Sequence, residues 1–409
     1  MADGLKTVLV TLHGQDRPGI TAAMMDLLSA QGCEIYDVGQ IVIRGRLLLT
    51  VLIGVPAERS TVRDLLFFAW EMGLEVDFEV VDPTPTPLKE LSVVTLIASR
   101  VGPEEFGAVA SAIARGGANI ERILRLSRYP VVSYELTISG GDRDAITSYL
   151  VDVAAATPLD IAIQPDTLVR RAKRLVVMDV DSTLIQEEVI DLLAREAGVE
   201  EEVAAMTRAA MAGEMDFEQA LRRRVSLLAG LSEEAVQRVA ESITLTPGAR
   251  TLIRTLKRLG IRTAIVSAGF TRTSRLLAER LGIDYYLSNT LEIVDGKLTG
   301  NLVGEIVDAA GKARFVKELA EREGISLDQV VAIGDGANDL EMLRIAGLGI
   351  AFNAKPIVQE NADTSIRVPY LDPILFLLGI RRDQVEAADA RDGISDATDP
   401  VPVPGLPPA

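Results

Sequence analysis

One histidine, His13, and one cysteine, Cys33, occur in 409 residues. Those counts exclude an intrachain disulfide and any Cys/His zinc cluster, and no second imidazole exists to support the first. Acid–base work therefore falls to carboxylates and lysines, and a bound metal would be a hard cation held by oxygen. Long apolar runs are missing as well. The longest candidate, Ile374 to Ile380, falls far short of the roughly 20 residues of a spanning helix. The N-terminal residues lack the basic stretch and apolar run of a secretory leader. With a lone thiol, this predicts a cytoplasmic protein with no membrane partner. Positive charge is in deficit, 42 Lys and Arg against 59 Asp and Glu for a net −17, which argues against nucleic acid as a partner. What is present suffices for folded cores: 48% of residues are hydrophobic, and the length predicts two or three domains at about 150 residues each.

Val8 to Leu12 has the character of a strand and Gly14 to Gly19 that of a turn, with helical spacing of Met24, Leu27 and Leu28 beyond. Gln40–Ile43 and Leu47–Ile53 flank Arg44-Gly45-Arg46, a hairpin signal. A further helix and strand complete a βαββαβ order to about residue 83. Pro83, Pro85 and Pro87 then predict a stiff linker. Residues 89–168 repeat the order, and the phrases Gln31 to Ile35 and Gly116 to Ile120 correspond, so the two segments form a tandem repeat. From about residue 172 the pattern changes to short apolar runs, Leu175–Val180, Thr263–Val266, Val330–Ile333 and Leu348–Ala351. Such runs fit a parallel sheet buried on both faces. Residues 186–245 carry helical signals alone and read as an insertion. Residues 383–409, with six acidic residues, one arginine and five prolines, read as a disordered tail.

Chemistry concentrates where those strands end, the usual place for ligands in open α/β sheets. The first run meets Asp179-Val180-Asp181-Ser182-Thr183. A two-residue spacing on extended backbone points both carboxylates the same way, so one can attack or bind metal while the other moves a proton. A solvated turn is the alternative. A calcium loop fails, because its sixth position would be Leu184 and its twelfth Ile190. The second run ends in Ser267-Ala268-Gly269 ahead of a helix, a hydroxyl and free amides suited to an anion or simply turn chemistry. Lys312 falls in the first turn of a helix, against its dipole; an anionic ligand would resolve that, and a surface lysine is the alternative. The stretch Gly334-Asp335-Gly336-Ala337-Asn338-Asp339 supplies a second oxygen-ligand cluster. Asp335 is the natural partner of Asp179 around one Mg²⁺.

These four pieces, in this order, resemble the haloacid dehalogenase-like phosphatases over about residues 172–382. Met178 to Asp191, Met211 to Val225 and Glu292 to Gly300 are similar to the branch that hydrolyses phosphoserine. The resemblance implies an α/β fold with a Rossmann-like parallel-sheet core and a helical cap insertion at about 186–245. It implies Asp179 as nucleophile, forming an aspartyl-phosphate, and Asp181 as general acid and base. Mg²⁺ would lie among Asp179, Asp335 and the main-chain carbonyl of Asp181, with Asp339 behind. Ser267 and Lys312 would hold the phosphoryl oxygens, with Ala268, Gly269 and Asn338 lining the site. In the cap, Glu188 would pair with the substrate ammonium and Arg224 with its carboxylate, while Met211 and Phe217 form an apolar wall. Ala268 stands where that family commonly has glycine; it removes no donor, so activity should survive.

The repeats, 1–83 and 89–168, resemble ACT domains, ferredoxin-like modules that often bind amino acids. The resemblance rests on the segment His13 to Ile20 and places an effector near Asp16 and Gly19. The second copy has Arg100 to Glu104 instead of the Asp-Arg-Pro-Gly turn, so it keeps the fold but not the loop. The expectation is a Mg²⁺-dependent phosphatase acting on O-phosphoserine, completing serine synthesis, with serine as effector and a homodimer formed through ACT domains. Alternatives are transfer to an alcohol, another phospho-amino acid as substrate, or an amino-acid sensor on an inactive phosphatase scaffold.

Overall fold

The computed structural model describes residues 5–56, 60–82, 90–211 and 215–394. The linker prolines and residues 395–409 lie outside them. The chain divides into two compact units, Met1–Leu88 and Lys89–Ala409.

In the first unit, strands β1 (Leu5–Gln15), β2 (Glu34–Ile43), β3 (Arg46–Pro56) and β4 (Leu74–Val80) form an antiparallel sheet in the order β2-β3-β1-β4. The β2–β3 turn is made by Arg44 and Gly45 with φ of 51° and 74°, the left-handed pair that matches strand twist in a two-residue hairpin. Alternate residues Val10, Leu12, Leu49, Val51 and Ile53 are fully buried with Met24 and Leu28 of the helix Ile20–Ala30 and Leu65 of the helix Thr61–Met72. Strand β2 is exposed along its whole length.

The second unit begins with the repeated sandwich. Strands β5 (Leu91–Ala98), β6 (Ala118–Ser127), β7 (Val132–Gly140) and β8 (Asp160–Pro165) take the order β6-β7-β5-β8. A seven-stranded sheet follows, built from β9 (Leu175–Met178), β10 (Arg262–Phe270), β11 (Tyr285–Val294), β12 (Lys297–Val303), β13 (Val330–Gly334), β14 (Leu348–Phe352) and β15 (Thr364–Ile366). Its order is β12-β11-β10-β9-β13-β14-β15. All neighbours are parallel except the β11–β12 hairpin. Every residue of β9, β13 and β14 is buried, which is why their sequence is continuous and apolar rather than alternating. Between β9 and β10 the described residues include the helices Val189–Ala197, Glu200–Met211, Phe217–Ser226 and Glu233–Ser242 of the insertion, then Ala249–Arg258, which leads into β10.

The second sandwich and the parallel-sheet domain share one hydrophobic core, to which Ile97, Leu126, Val131 and Ala162 contribute. Polar contacts close the seam. Arg367 donates from Nε and from its main-chain N to the buried Asp160 at 2.7 and 2.8 Å, and Gln164 Nε2 donates to the Leu377 carbonyl. Arg170 and Glu135 form a buried pair at 2.6 Å.

The expected disordered tail needs correction at its start. Residues Arg382–Arg391 form a helix. Asp389 accepts from Arg254, Asp392 accepts from Arg258, and Val385 is buried. Acidic composition imitated disorder because the arginines that neutralise it lie more than 130 positions upstream.

Candidate active site

The carboxyl ends of β9, β10 and β13 meet at one point. Asp179 follows β9, and its amide donates to the Ile333 carbonyl of β13, so pairing of the central strands fixes its position. The chain then turns sharply, with Ser182 at φ 55°. Asp181 Oδ1 thereby accepts from the Val189 amide at 2.8 Å, and Oδ2 accepts from Ser267 Oγ at 2.8 Å. Burial pushes the Asp181 carboxyl above its ordinary range, and these hydrogen bonds oppose that rise.

Strand β10 delivers Ser267 through a register shift between Ser267 and Phe270. Inside this irregularity the Gly269 amide donates to Ser267 Oγ at 2.7 Å. A Cβ on Gly269 would sit 2.8 Å from Asp181 Oδ2 and 2.9 Å from Ser267 Oγ, so only glycine allows this approach.

Lys312 is not a surface residue; it is completely buried. The helix Ala309–Glu323 is capped by Asp308, whose carboxylate accepts from the Gly311 amide. The helix aims Lys312 Nζ at Asp179 Oδ1 and Asp339 Oδ1, both at 2.7 Å. Two anions outweigh desolvation, and the ammonium is held above its ordinary range. Asp339, also fully buried, uses Oδ2 to accept from the Gly336 amide at 3.0 Å. Gly334 makes room for this, since a Cβ there would fall 2.4 Å from Asp339 Cγ.

Carboxylate oxygens of Asp179, Asp335 and Asp339 lie within 4.8 Å of one another. Burial, with Asp339 adding to it, raises the Asp335 carboxyl to about 6, and burial with Asp339 also raises Asp179. The cluster holds more negative charge than one lysine balances, and its donors are all hard oxygens. Those residues fit a hard divalent cation such as Mg²⁺. Both oxygens of Asp339 are engaged by Lys312 and Gly336, which leaves Asp179 and Asp335 as the carboxylates facing such an ion.

A cavity of about 460 Å³ opens over the cluster, lined at its base by Asp179, Asp181, Gly269, Ala268 and Asp335 to Asn338. The inserted helices supply Glu188, Phe217 and Arg224 to its walls. Ser182 Oγ donates to Glu188 Oε1 at 2.9 Å, yet burial and the nearby Asp181 push this carboxyl up to about 7. Arg224 donates to Thr207 Oγ1 at 3.3 Å, and burial lowers its guanidinium from the ordinary value. Ser267, Lys312 and Asp339 contribute from beneath the lining. Asp16 and Gly19 belong to the first unit: Gly19 has φ 96° at the head of a helix, and the Asp16 amide donates to the Gly45 carbonyl. The Met211 side chain lies outside the described residues.

Sequence reasoning missed several lining or supporting groups. Asp191 and Thr207 flank Arg224, Lys355 lies on the cavity rim, and Thr183 Oγ1 donates to Asp335 at 3.4 Å. Asp191, in the first turn of the helix that Glu188 caps, and Thr183, inside the Asp179–Thr183 motif, carried readable signals. The others come together through tertiary contacts alone.

A family model for haloacid dehalogenase-like hydrolases matches residues 176–344, and ACT-domain models match 6–79 and 92–164. Over 393 residues the chain is 50% identical to a phosphoserine phosphatase of Streptomyces coelicolor, covering 94% of each chain. It is 47% identical to one of Mycobacterium tuberculosis, covering 94% of this chain and 96% of that one. Among solved structures, a probable phosphoserine phosphatase from Vibrio cholerae superposes with a TM-score of 0.57 at 37% identity, covering 74% of this chain and 89% of the other. A hydrolase of the same superfamily from Salmonella enterica gives 0.62 at 32%, covering 70% and 98%.

Proposed function

Because the chain belongs to the phosphoserine phosphatase family of haloacid dehalogenase-like hydrolases, with two ACT domains, we propose that it hydrolyses O-phospho-L-serine to serine and phosphate through an aspartyl-phosphate, with Mg²⁺ as cofactor. The observation that carries this reading is the convergence of a carboxylate pair, a buried lysine and an anion-ready loop beneath a cavity whose walls hold the carboxylates of Glu188 and Asp191 and the guanidinium of Arg224.

In the proposed mechanism, the phosphate sits against Ser267, the Gly269 amide and Lys312, which balance charge on its equatorial oxygens. Mg²⁺ would be held by Asp179, Asp335 and the Asp181 carbonyl. When bound, it supplies the positive charge that lets a carboxylate approach a phosphate dianion. Asp179 attacks phosphorus; Asp181, kept protonated longer than an exposed carboxyl by burial, gives its proton to the departing serine oxygen. Asp181 then takes a proton from the water that cleaves the acyl-phosphate, regenerating both carboxyls. Glu188 and Arg224 pair with the substrate ammonium and carboxylate. Their opposite charges on one cavity wall favour a zwitterionic amino acid over a plain phosphomonoester. Transfer to an alcohol or a different phospho-amino acid is the second enzymatic reading. Steady-state phosphate release from phosphoserine, phosphothreonine and p-nitrophenyl phosphate with Mg²⁺, with and without a competing alcohol, separates the readings. Activity confined to the second or third substrate contradicts the proposal.

The proposal extends to regulation by serine and to a cytoplasmic homodimer paired through ACT domains. Strand β2 supports the dimer: it is a sheet edge with Ile35, Tyr36, Val38, Ile41 and Ile43 each about half exposed or more, a surface that a second copy would cover. The second ACT domain shares the catalytic core, so deletion of residues 1–88 is the cleaner regulatory test. Sedimentation of the full chain and the truncated chain, and serine inhibition of both, check these points. An unchanged response to serine after deletion assigns the effector elsewhere. Among the described residues, no helix is long and apolar enough to cross a membrane.

A further inference from the structure

Asn289 sits 1% exposed midway along β11, opposite Phe270 where the irregular parallel pairing with β10 ends. Its side-chain Nδ2 donates to the Ala268 carbonyl at 2.7 Å, and its Oδ1 accepts from the Val307 amide at 2.9 Å. A carbonyl only accepts and an amide N–H only donates, so these partners fix which way the Asn289 amide faces. One partner belongs to the Ser267–Gly269 loop. The other immediately precedes Asp308, the cap of the helix that carries Lys312.

We propose that Asn289 is a positioning residue for phosphoryl transfer, locking the Ala268–Gly269 peptide so that its N–H faces the anion and tying that loop to the lysine-bearing helix. The peptide is planar and trans, so the Ala268 C=O and the Gly269 N–H point in opposite directions. Holding the carbonyl against Asn289 turns the N–H toward Ser267 Oγ, to which it donates, on the side where Gly269 lines the cavity. Without that tether the peptide can rotate and present a carbonyl oxygen to the phosphate, replacing a donor with a repulsive dipole. The Val307 contact fixes the start of the segment from which Lys312 reaches Asp179. Neither contact touches substrate, so Asn289 acts through the loop and the lysine. No sequence motif marks it, because its partners lie 21 and 18 positions away in opposite directions.

The inference rests on the phosphatase reading but not on the identity of the substrate. Asn289→Asp keeps an acceptor for Val307 and loses the donor to Ala268; Asn289→Leu removes both at similar size. In the full chain with Mg²⁺, both variants are expected to lower kcat for phosphoserine and p-nitrophenyl phosphate by roughly 10- to 100-fold. Orthovanadate binding, read by calorimetry, weakens by a comparable factor. The ratio of kcat/KM between the two substrates stays within about threefold, since Glu188 and Arg224 are untouched. A merely structural role would lower activity only in proportion to the fraction unfolded by circular dichroism and leave vanadate affinity per folded molecule unchanged; that result, or wild-type kcat in both variants, overturns the inference. Wild-type hydrolysis of p-nitrophenyl phosphate without hydrolysis of phosphoserine would overturn the substrate reading alone, and vanadate binding would still decide the role of Asn289.

Discussion

Lys312 Nζ donates to Asp179 Oδ1 at 2.7 Å, and the lysine is completely out of water. The proposed nucleophile is thus paired with its cation by the fold itself. Removing the cation leaves Asp179 and Asp339 buried against each other. Lys312→Met should therefore reduce kcat/KM for phosphoserine by at least about a thousandfold. It should also destabilise the protein by roughly 3–5 kcal/mol, the usual consequence of breaking a buried pair. Phosphate-release kinetics and urea unfolding check the two effects separately.

Asp181 and its partner Ser267 predict a substrate-dependent defect. Asp181→Asn removes the proton donor that the serine alkoxide needs, so phosphoserine turnover should fall about 10²- to 10⁴-fold. p-Nitrophenolate departs without protonation, so the first step should persist with that substrate while the second stalls. Stopped-flow absorbance should show a burst of about one equivalent of nitrophenolate per site, followed by slow turnover. Equal losses on both substrates with no burst would remove Asp181 from leaving-group protonation.

Glu188 gives a pH signature. Burial and Asp181 raise its carboxyl to about 7, whereas pairing with an ammonium requires the ionised form. Log kcat/KM for phosphoserine should rise with pH toward about 7 and level off above it. Phosphate ionisation near pH 6 contributes in the same direction, so p-nitrophenyl phosphate, which has no ammonium, serves as the control. The limb belonging to Glu188 should be absent with that control and absent in Glu188→Gln. The stability sign is the reverse. A carboxyl raised in the folded state makes the substrate-free protein less stable as pH climbs from the ordinary carboxylate range through 7. Glu188→Gln should accordingly gain melting temperature over the wild type at pH 8 and not at pH 4.

At the seam between the second ACT domain and the parallel sheet, Arg367→Ala should leave Asp160 buried with only main-chain donors. Burial already raises this carboxyl despite Arg367. Loss of the guanidinium raises it further, so the destabilisation should be larger at pH 8 than at pH 4, by about 2–4 kcal/mol at the higher pH. Thermal melts at the two pH values test the sign.

Much of this arrangement was readable from residues alone. Uninterrupted apolar runs marked β9, β10, β13 and β14, and the motifs around Asp179, Ser267 and Asp335 fell at or just beyond the carboxyl end of a strand, with Lys312 in the first turn of its helix. The unreadable part was what only tertiary contacts create. Lys312 could be singled out by its place in the first turn of a helix, but its complete burial between two carboxylates could not be read there. Asn289 and Thr207 carry no motif, because each acts on a group from a distant segment. The helix Arg382–Arg391 was hidden by polar composition, which states how much charge a segment carries but not where its counter-charges lie.

The proposal that Asp179 accepts the phosphoryl group can be tested directly by acid-quenching the Mg²⁺-loaded enzyme during turnover of ³²P-phosphoserine and mapping the label. The account predicts label on the peptide containing Asp179, chased away by unlabelled substrate and missing from Asp179→Asn, which should be inactive. Turnover of phosphoserine by Asp179→Asn at the wild-type rate, or label carried on another residue, would contradict it.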